Sequence, residues 1–73
     1  NMNREEHINW TKNRAVALAQ KGDFNQAFNS IVSDLDKNAE TRNHPLILQG
    51  RMLKQLGELN NLSSILDFIN SIN

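Results

Sequence analysis

The chain contains no cysteine and no tyrosine, only one proline and three glycines, and no excess charge of either sign. Without cysteine, neither a disulfide nor a thiolate metal site can stabilise a chain of 73 residues. Eight basic residues balance eight acidic ones, which argues against a dominant nucleic-acid surface, because such surfaces usually carry a basic excess. No apolar run approaches the roughly 18 residues that span a bilayer. We therefore expect one cytoplasmic domain over residues 1–73, without a membrane segment or a cofactor.

A short pattern recurs along the chain. Residues 19–28 are followed 35 positions later by residues 54–63, and each copy places a glycine, an acid and an apolar residue in succession. The successions are Gly22-Asp23-Phe24 and Gly57-Glu58-Leu59. A period of this length is typical of helix-turn-helix repeats, which provide binding surfaces more often than catalytic sites. The pattern predicts two helical units, over about residues 3–38 and 41–73.

Four helices follow from the apolar spacing and the capping residues. We expect helices over about residues 3–21, 23–37, 45–56 and 59–72, with Asn3 and Asp23 as N-caps and either Thr41 or Asn43 capping the third. The third helix is apolar on almost all sides and should therefore be the most buried. Gly50 in its middle predicts a close crossing with a neighbouring helix, because glycine is otherwise costly inside a helix.

The two copies resemble the tetratricopeptide repeat family in their pattern of small, apolar and glycine residues. The matching positions are Ala15, Leu18, Gly22, Phe24 and Ala27 in the first copy, and Gly50, Leu53, Gly57, Leu59 and Leu62 in the second. The resemblance implies an all-α fold of four antiparallel helices, arranged as two helix-turn-helix hairpins. It also implies a non-catalytic protein that binds a peptide or protein partner.

The family binds peptides in a groove that is lined by the first helix of each unit. Transferred to this chain, the resemblance implies a partner groove formed by Asn9, Lys12, Val16, Ile47, Arg51 and Lys54. Trp10 lies at the edge of this set and leaves two alternatives. It packs at the rim between the first two helices, or it is an exposed anchor for a partner, since tryptophan is enriched at binding hot spots.

Few residues are placed for chemistry. His7 and His44 do not occur in a metal-binding spacing, and we expect both at the surface or its boundary. Asp34 and Asp36 are two positions apart on a helix, so they point to different sides, and we expect Asp34 on a solvated face. No serine has a neighbouring histidine to activate it. We therefore expect no enzymatic activity.

The last helix has an apolar face that no later segment covers. Ile65, Phe68 and Ile72 lie on this face, and repeat arrays normally end in a polar capping helix. Either the helices close into a compact bundle, or the face contacts another chain. We expect self-association through these three residues, giving a homodimer, because two chains together bury a larger core.

The sequence thus predicts a small adaptor that binds proteins or peptides. One alternative is a small phage or mobile-element protein that binds and modulates a host protein, which the asparagine-rich composition favours. Another is a weak nucleic-acid-binding helical protein that uses its basic residues.

Overall fold

A computed structural model describes residues 2–73. Asn1, the first residue of the predicted 1–73 domain, lies outside this range. The elements are α1 (Arg4–Gln20), α2 (Phe24–Asp36), α3 (Pro45–Gln55) and α4 (Leu62–Asn70), and there is no strand within residues 2–73. The predicted all-α class with four helices is confirmed. Within the same residues, no helix is both long and apolar enough to cross a membrane.

The first two helices begin at the predicted N-caps. Asn3 Oδ1 accepts a hydrogen bond from the Glu6 amide at 2.8 Å, and Glu6 Oε1 accepts one from the Asn3 amide at 3.2 Å. This reciprocal pair is a capping box. At the start of α2, Asp23 Oδ1 accepts from the Gln26 amide at 3.2 Å. Local side chains therefore satisfy backbone groups that the helix itself leaves without partners.

The two glycine turns have the same backbone geometry. Gly22 and Gly57 have φ angles of +84° and +74°, in the left-handed region where a side chain would be strained. After α1, the amides of Gly22 and Asp23 donate to the carbonyls of Ala19 and Leu18 at 2.9 and 3.1 Å. After α3, the equivalent bonds of Gly57 and Glu58 measure 3.1 and 2.9 Å. Both helices thus end in a Schellman motif.

The two copies diverge immediately after these turns. Asp23 caps α2 directly, whereas Glu58 does not cap α4. Asn61 has that role, with its Oδ1 accepting from the Ser64 amide at 2.8 Å, so α4 begins at Leu62. The predicted start at Leu59 is wrong because the better N-cap lies further along the chain. Leu59 is nevertheless buried in the turn.

The connection between α2 and α3 is held by two buried polar side chains. Thr41 Oγ1 donates to the Leu35 carbonyl at 2.7 Å, at the end of α2. His44 is the N-cap of α3, where its Nδ1 accepts from the Leu46 amide at 3.2 Å and its Nε2 donates to the main-chain oxygen of Asn73 at 2.7 Å. The predicted caps, Thr41 and Asn43, are wrong, because Thr41 is turned back onto α2.

The core lies between α1, α2 and α4. Packing is closest between α1 and α2, and α4 packs on both of them. Two hydrogen bonds fasten the end of α4 to α1: Lys12 Nζ donates to the Ile72 carbonyl at 3.0 Å, and Arg4 Nη2 donates to the main-chain oxygen of Asn73 at 3.2 Å. The buried apolar residues are Ile8, Ala15, Ala19, Ala27, Phe28, Ile31, Leu35, Leu59, Ile65, Phe68, Ile69 and Ile72.

The third helix is the least buried of the four. Gly50 is its only fully buried residue, and α3 belongs to none of the close helix pairs. A Cβ at Gly50 would lie 2.5 Å from Cζ of Phe68 and 2.6 Å from Cε1 of Phe28, so the predicted close approach is confirmed. The prediction that this helix is the most buried is wrong. The two aromatic rings cover the glycine side of α3 and leave its opposite side in solvent.

Candidate functional site

The outer face of α3 is an exposed apolar surface. Leu48, Met52 and Leu56 are 68%, 58% and 71% exposed, and their spacing of four residues places them in one stripe along the helix. The inner side of the same helix carries the half-buried Leu46, Ile47 and Leu53 beside Gly50. We call the three exposed residues, Leu48, Met52 and Leu56, the α3 stripe.

The charged side chains of α3 are both basic. Arg51 is exposed, and Lys54 is half-buried with its Nζ 5.3 Å from the centre of the Phe28 ring. Neither forms an ion pair among residues 2–73. Arg42 lies just before the helix, 3.4 Å from Oδ1 of Asp36. The segment from residue 41 to residue 57 contains no Asp or Glu, although the whole chain is neutral.

The six residues of the predicted groove do not line a single hollow. Asn9 and Lys12 lie in a hollow of about 330 Å³ beside Ile72 and Asn73. Ile47 and Arg51 lie in another, of about 380 Å³, at the start of α3. Val16 is half-buried against the core, and Lys54 lines neither hollow. The role of these residues in binding a partner stays a prediction.

The residues that we expected to mediate self-association are in the core. Ile65, Phe68 and Ile72 are 0%, 5% and 1% exposed. The expected uncovered face of α4 is therefore wrong, because that face packs on α1 and α2 and Phe68 also covers Gly50 of α3. A compact arrangement within one chain, the other alternative that the sequence left, covers these side chains. Three of the five exposed large apolar side chains among residues 2–73 belong to α3 and its C-cap instead, and the other two are Met2 and Leu62.

A second feature of the molecule is a polar cluster where the start of α1 meets the end of α2. Asp34 is only 1% exposed, and its carboxylate contacts Arg14 Nε at 2.8 Å and Lys37 Nζ at 3.0 Å. Ser30 Oγ also donates to this carboxylate at 3.3 Å. His7 Nε2 donates to the Asp34 carbonyl at 2.8 Å. The cluster therefore joins the two helices through one buried acid.

Trp10 belongs to this cluster. Its ring stacks on that of His7, with a distance of 5.9 Å between the centres. Arg14 and Lys37 lie over the Trp10 ring, at 4.8 and 5.3 Å from its centre, within the range of cation–π contacts. The half-buried Trp10 also lines a shallow hollow of about 500 Å³. This environment matches the expected packing at the rim, and its role as an anchor stays a prediction.

The structure corrects three expectations about polar residues. Asp34 is buried rather than solvated, and both His7 and His44 are buried rather than at the surface. The partners of Asp34 on its own helix, Ser30 and Lys37, lie four and three positions away, so helical spacing contained part of the signal. Arg14, the third partner of the Asp34 carboxylate, and the main-chain oxygen of Asn73, the partner of His44, are distant in sequence from the residues that they contact and left no local signal.

Within residues 2–73, no group of three or more His, Asp or Glu side chains could hold a metal ion. The α3 stripe, with Arg51 beside it, holds the three most exposed large apolar side chains among residues 2–73.

The architecture defines a small all-α protein of four helices. No protein-family model matches the chain, and no curated protein or solved structure is significantly similar to it. The resemblance to tetratricopeptide repeats stays a prediction.

Proposed function

We propose that this chain is a small, non-catalytic module that binds a protein partner through the α3 stripe. The observation that carries this proposal is the exposure of Leu48, Met52 and Leu56 on one side of one helix. Single exposed apolar residues are ordinary, whereas a contiguous row of them marks an interaction surface. Burying a leucine or methionine side chain stabilises a complex by about 1.5–3 kcal/mol, so this row is a strong source of affinity.

The arrangement of the four helices supports a repeat-like structure only in part. The matched Schellman turns at Gly22 and Gly57 support a relation to tetratricopeptide hairpins. The loose attachment of α3 argues against regular stacking of the two units, because α3 is in none of the close helix pairs. We therefore propose a repeat-like first hairpin, α1 with α2, followed by a second unit whose first helix is free to contact a partner.

The alternatives from the sequence have unequal support. One observation favours a nucleic-acid partner: the segment from residue 41 to residue 57 contains no Asp or Glu. An apolar stripe at its centre suits a protein better, because phosphate backbones are bound by cations. The idea that the partner is the host protein of a phage stays a prediction from composition.

The proposal is tested by truncating the stripe. The Leu48→Ala, Leu56→Ala double variant removes apolar surface, and the Gln49→Ala, Gln55→Ala variant is its matched control on exposed positions of the same helix. Each variant is used to capture proteins from cell extract, and the captured proteins are compared by mass spectrometry. We expect the wild type and the glutamine variant to capture a common protein that the leucine variant does not retain.

Thermal melting by circular dichroism checks that both variants are folded. Captured proteins that are the same for all three chains would contradict the proposal. In that case any binding would use a different surface.

A further inference from the structure

We propose that the occupant of the α3 stripe is an acidic amphipathic helix of a different protein. This inference rests on the proposed function and names its class of partner. The stripe runs from Leu48 to Leu56, about 12 Å at 1.5 Å per residue, or little more than two helical turns. An apolar row of this length on a convex helix fits the i, i+3, i+4, i+7 row of a second helix by ridges-into-grooves packing.

The positive charge beside the stripe favours an acidic partner. Arg51 lies at the edge of the α3 stripe, whereas Lys54 lies over the Phe28 ring on the inner side of α3. Neither has a carboxylate partner among residues 2–73. The nearest acids in the sequence, Glu40 and Glu58, are beyond the ends of the helix. A helix with Asp or Glu beside its apolar row would supply the missing charge, and this complementarity governs specificity and association rate.

A second copy of this chain suits the surface less well. In an antiparallel two-fold pair of α3 helices centred on Met52, the two copies of Arg51 would lie on the same edge. Two unpaired cations would then be close together, and like charges oppose pairing. Opposite charges on the partner remove this repulsion, so the charge distribution favours a different chain.

The exposed area also favours a single helix as the occupant. At the observed exposures, the three side chains offer roughly 350 Å² of surface, within the range of about 300–600 Å² for functional patches on monomers. A stable protein–protein interface of standard size buries about 800 Å² on each partner. The stripe is therefore large enough for one docked helix and small for a permanent dimer.

The test uses three synthetic peptides of about 18 residues, or about five helical turns. They share one row of leucines and differ only in the flanking residues, which are Glu, Gln or Lys. Each carries a fluorescent label, and its binding to the full chain is followed by anisotropy. We expect the Glu peptide to bind at least about tenfold more tightly than the Lys peptide at low salt, with a smaller difference at high salt because ions screen exposed charges.

Variants of the chain assign this preference to α3. Arg51→Glu should reverse the order of affinity, so that the Lys peptide binds more tightly than the Glu peptide. Lys21→Glu is its matched control, because it makes the same change of charge in the exposed turn after α1. The Leu48→Ala, Leu56→Ala variant should bind all three peptides with an affinity lower by about tenfold or more, since each well-buried leucine contributes more than about a factor of ten to the binding constant.

Every other result overturns the inference. Equal affinities for the three peptides, or no binding, would exclude an acidic helix, while the capture experiment with unfractionated extract would still judge the proposed function separately. Sedimentation equilibrium that shows a wild-type dimer, and a monomer for Leu48→Ala, Leu56→Ala, would identify a second copy as the occupant. Tighter binding of a single-stranded oligonucleotide, unchanged by the leucine substitutions, would identify nucleic acid.

Discussion

The hairpin of α1 and α2 and the single helix α3 differ in which kind of side chain they bury and which they expose. In the hairpin an acid, Asp34, is buried and satisfied by three donors, whereas in α3 three large apolar side chains remain in solvent. A buried carboxylate is tolerated only with its partners in place, and an exposed apolar row adds little to the stability of the single chain. The core between α1, α2 and α4 thus stabilises the fold, and α3 offers a surface.

The largest expected effect is the difference in free energy of unfolding between two leucine-to-alanine substitutions, one in the hairpin and one on α3. Leu35→Ala, in the core of the hairpin, should lower the free energy of unfolding by about 2–5 kcal/mol, because it removes buried surface and leaves a cavity. Leu56→Ala, on the α3 stripe, should change it by less than about 0.5 kcal/mol. Urea denaturation of both variants measures the difference. Equal losses would mean that the outer side of α3 contributes to the core and would remove the contrast between the two regions.

A smaller effect concerns the buried acid. Arg14→Met with Lys37→Met leaves the Asp34 carboxylate buried without a cation and should cost about 3 kcal/mol. Asp34→Asn should cost about 1 kcal/mol, because the two cations are half exposed and water can solvate them. Thermal unfolding compares the two variants. A larger loss for Asp34→Asn would show that the carboxylate itself, rather than its burial, governs the stability of the cluster.

The attachment of α3 to the rest of the molecule depends on Gly50. Gly50→Ala places a methyl group against the rings of Phe28 and Phe68, and overpacking of this kind costs about 1–3 kcal/mol. Alanine is the better helix former by about 1 kcal/mol, so we expect a net loss of up to about 2 kcal/mol. The substitution should accelerate amide hydrogen exchange more in α3 than in α1 and α2. Slower exchange in α3 would show that the rings adapt and that the contact is not tight.

The smallest effects compare the two turns. Gly22→Ala and Gly57→Ala should each cost about 1 kcal/mol, because alanine is disfavoured at positive φ. Nearly equal losses, measured by thermal unfolding, would confirm that the two Schellman motifs are equivalent although the helices after them begin differently. Unequal losses would indicate that the resemblance between the copies does not extend to their energetics.

The parts of the fold with an unambiguous pattern were predictable from sequence. In α2 the apolar residues occupy one side only, and Phe28, Ile31 and Leu35 on that side lie in the core. In α3 apolar residues occupy nearly every side, so periodicity could not indicate which side faces inward. Gly50 contained that information, because only its side of the helix allows two aromatic rings to approach.

The candidate site was harder to predict than the fold. Leu48, Met52 and Leu56 are the kind of residue that sequence reasoning assigns to a core, and only the packing shows that they are exposed. Asp34 was expected on a solvated face and His44 at the surface or its boundary, and the partners that bury them, Arg14 and Asn73, are distant in sequence. Of the predicted groove, Arg51 is beside the stripe and Lys54 lies over the Phe28 ring, whereas Asn9 and Lys12 lie in a different hollow.

The bonds that join the end of α4 to α1 have a consequence for the order of folding. Arg4 and Asn73 are separated by 69 positions, and Lys12 and Ile72 by 60, so these contacts close the longest loops in the molecule. The entropy of closing a loop must be overcome before such contacts can stabilise the chain. We therefore expect α1 and α2 to associate early and the docking of α4 to come late, so that substitutions at Ile72 mainly accelerate unfolding.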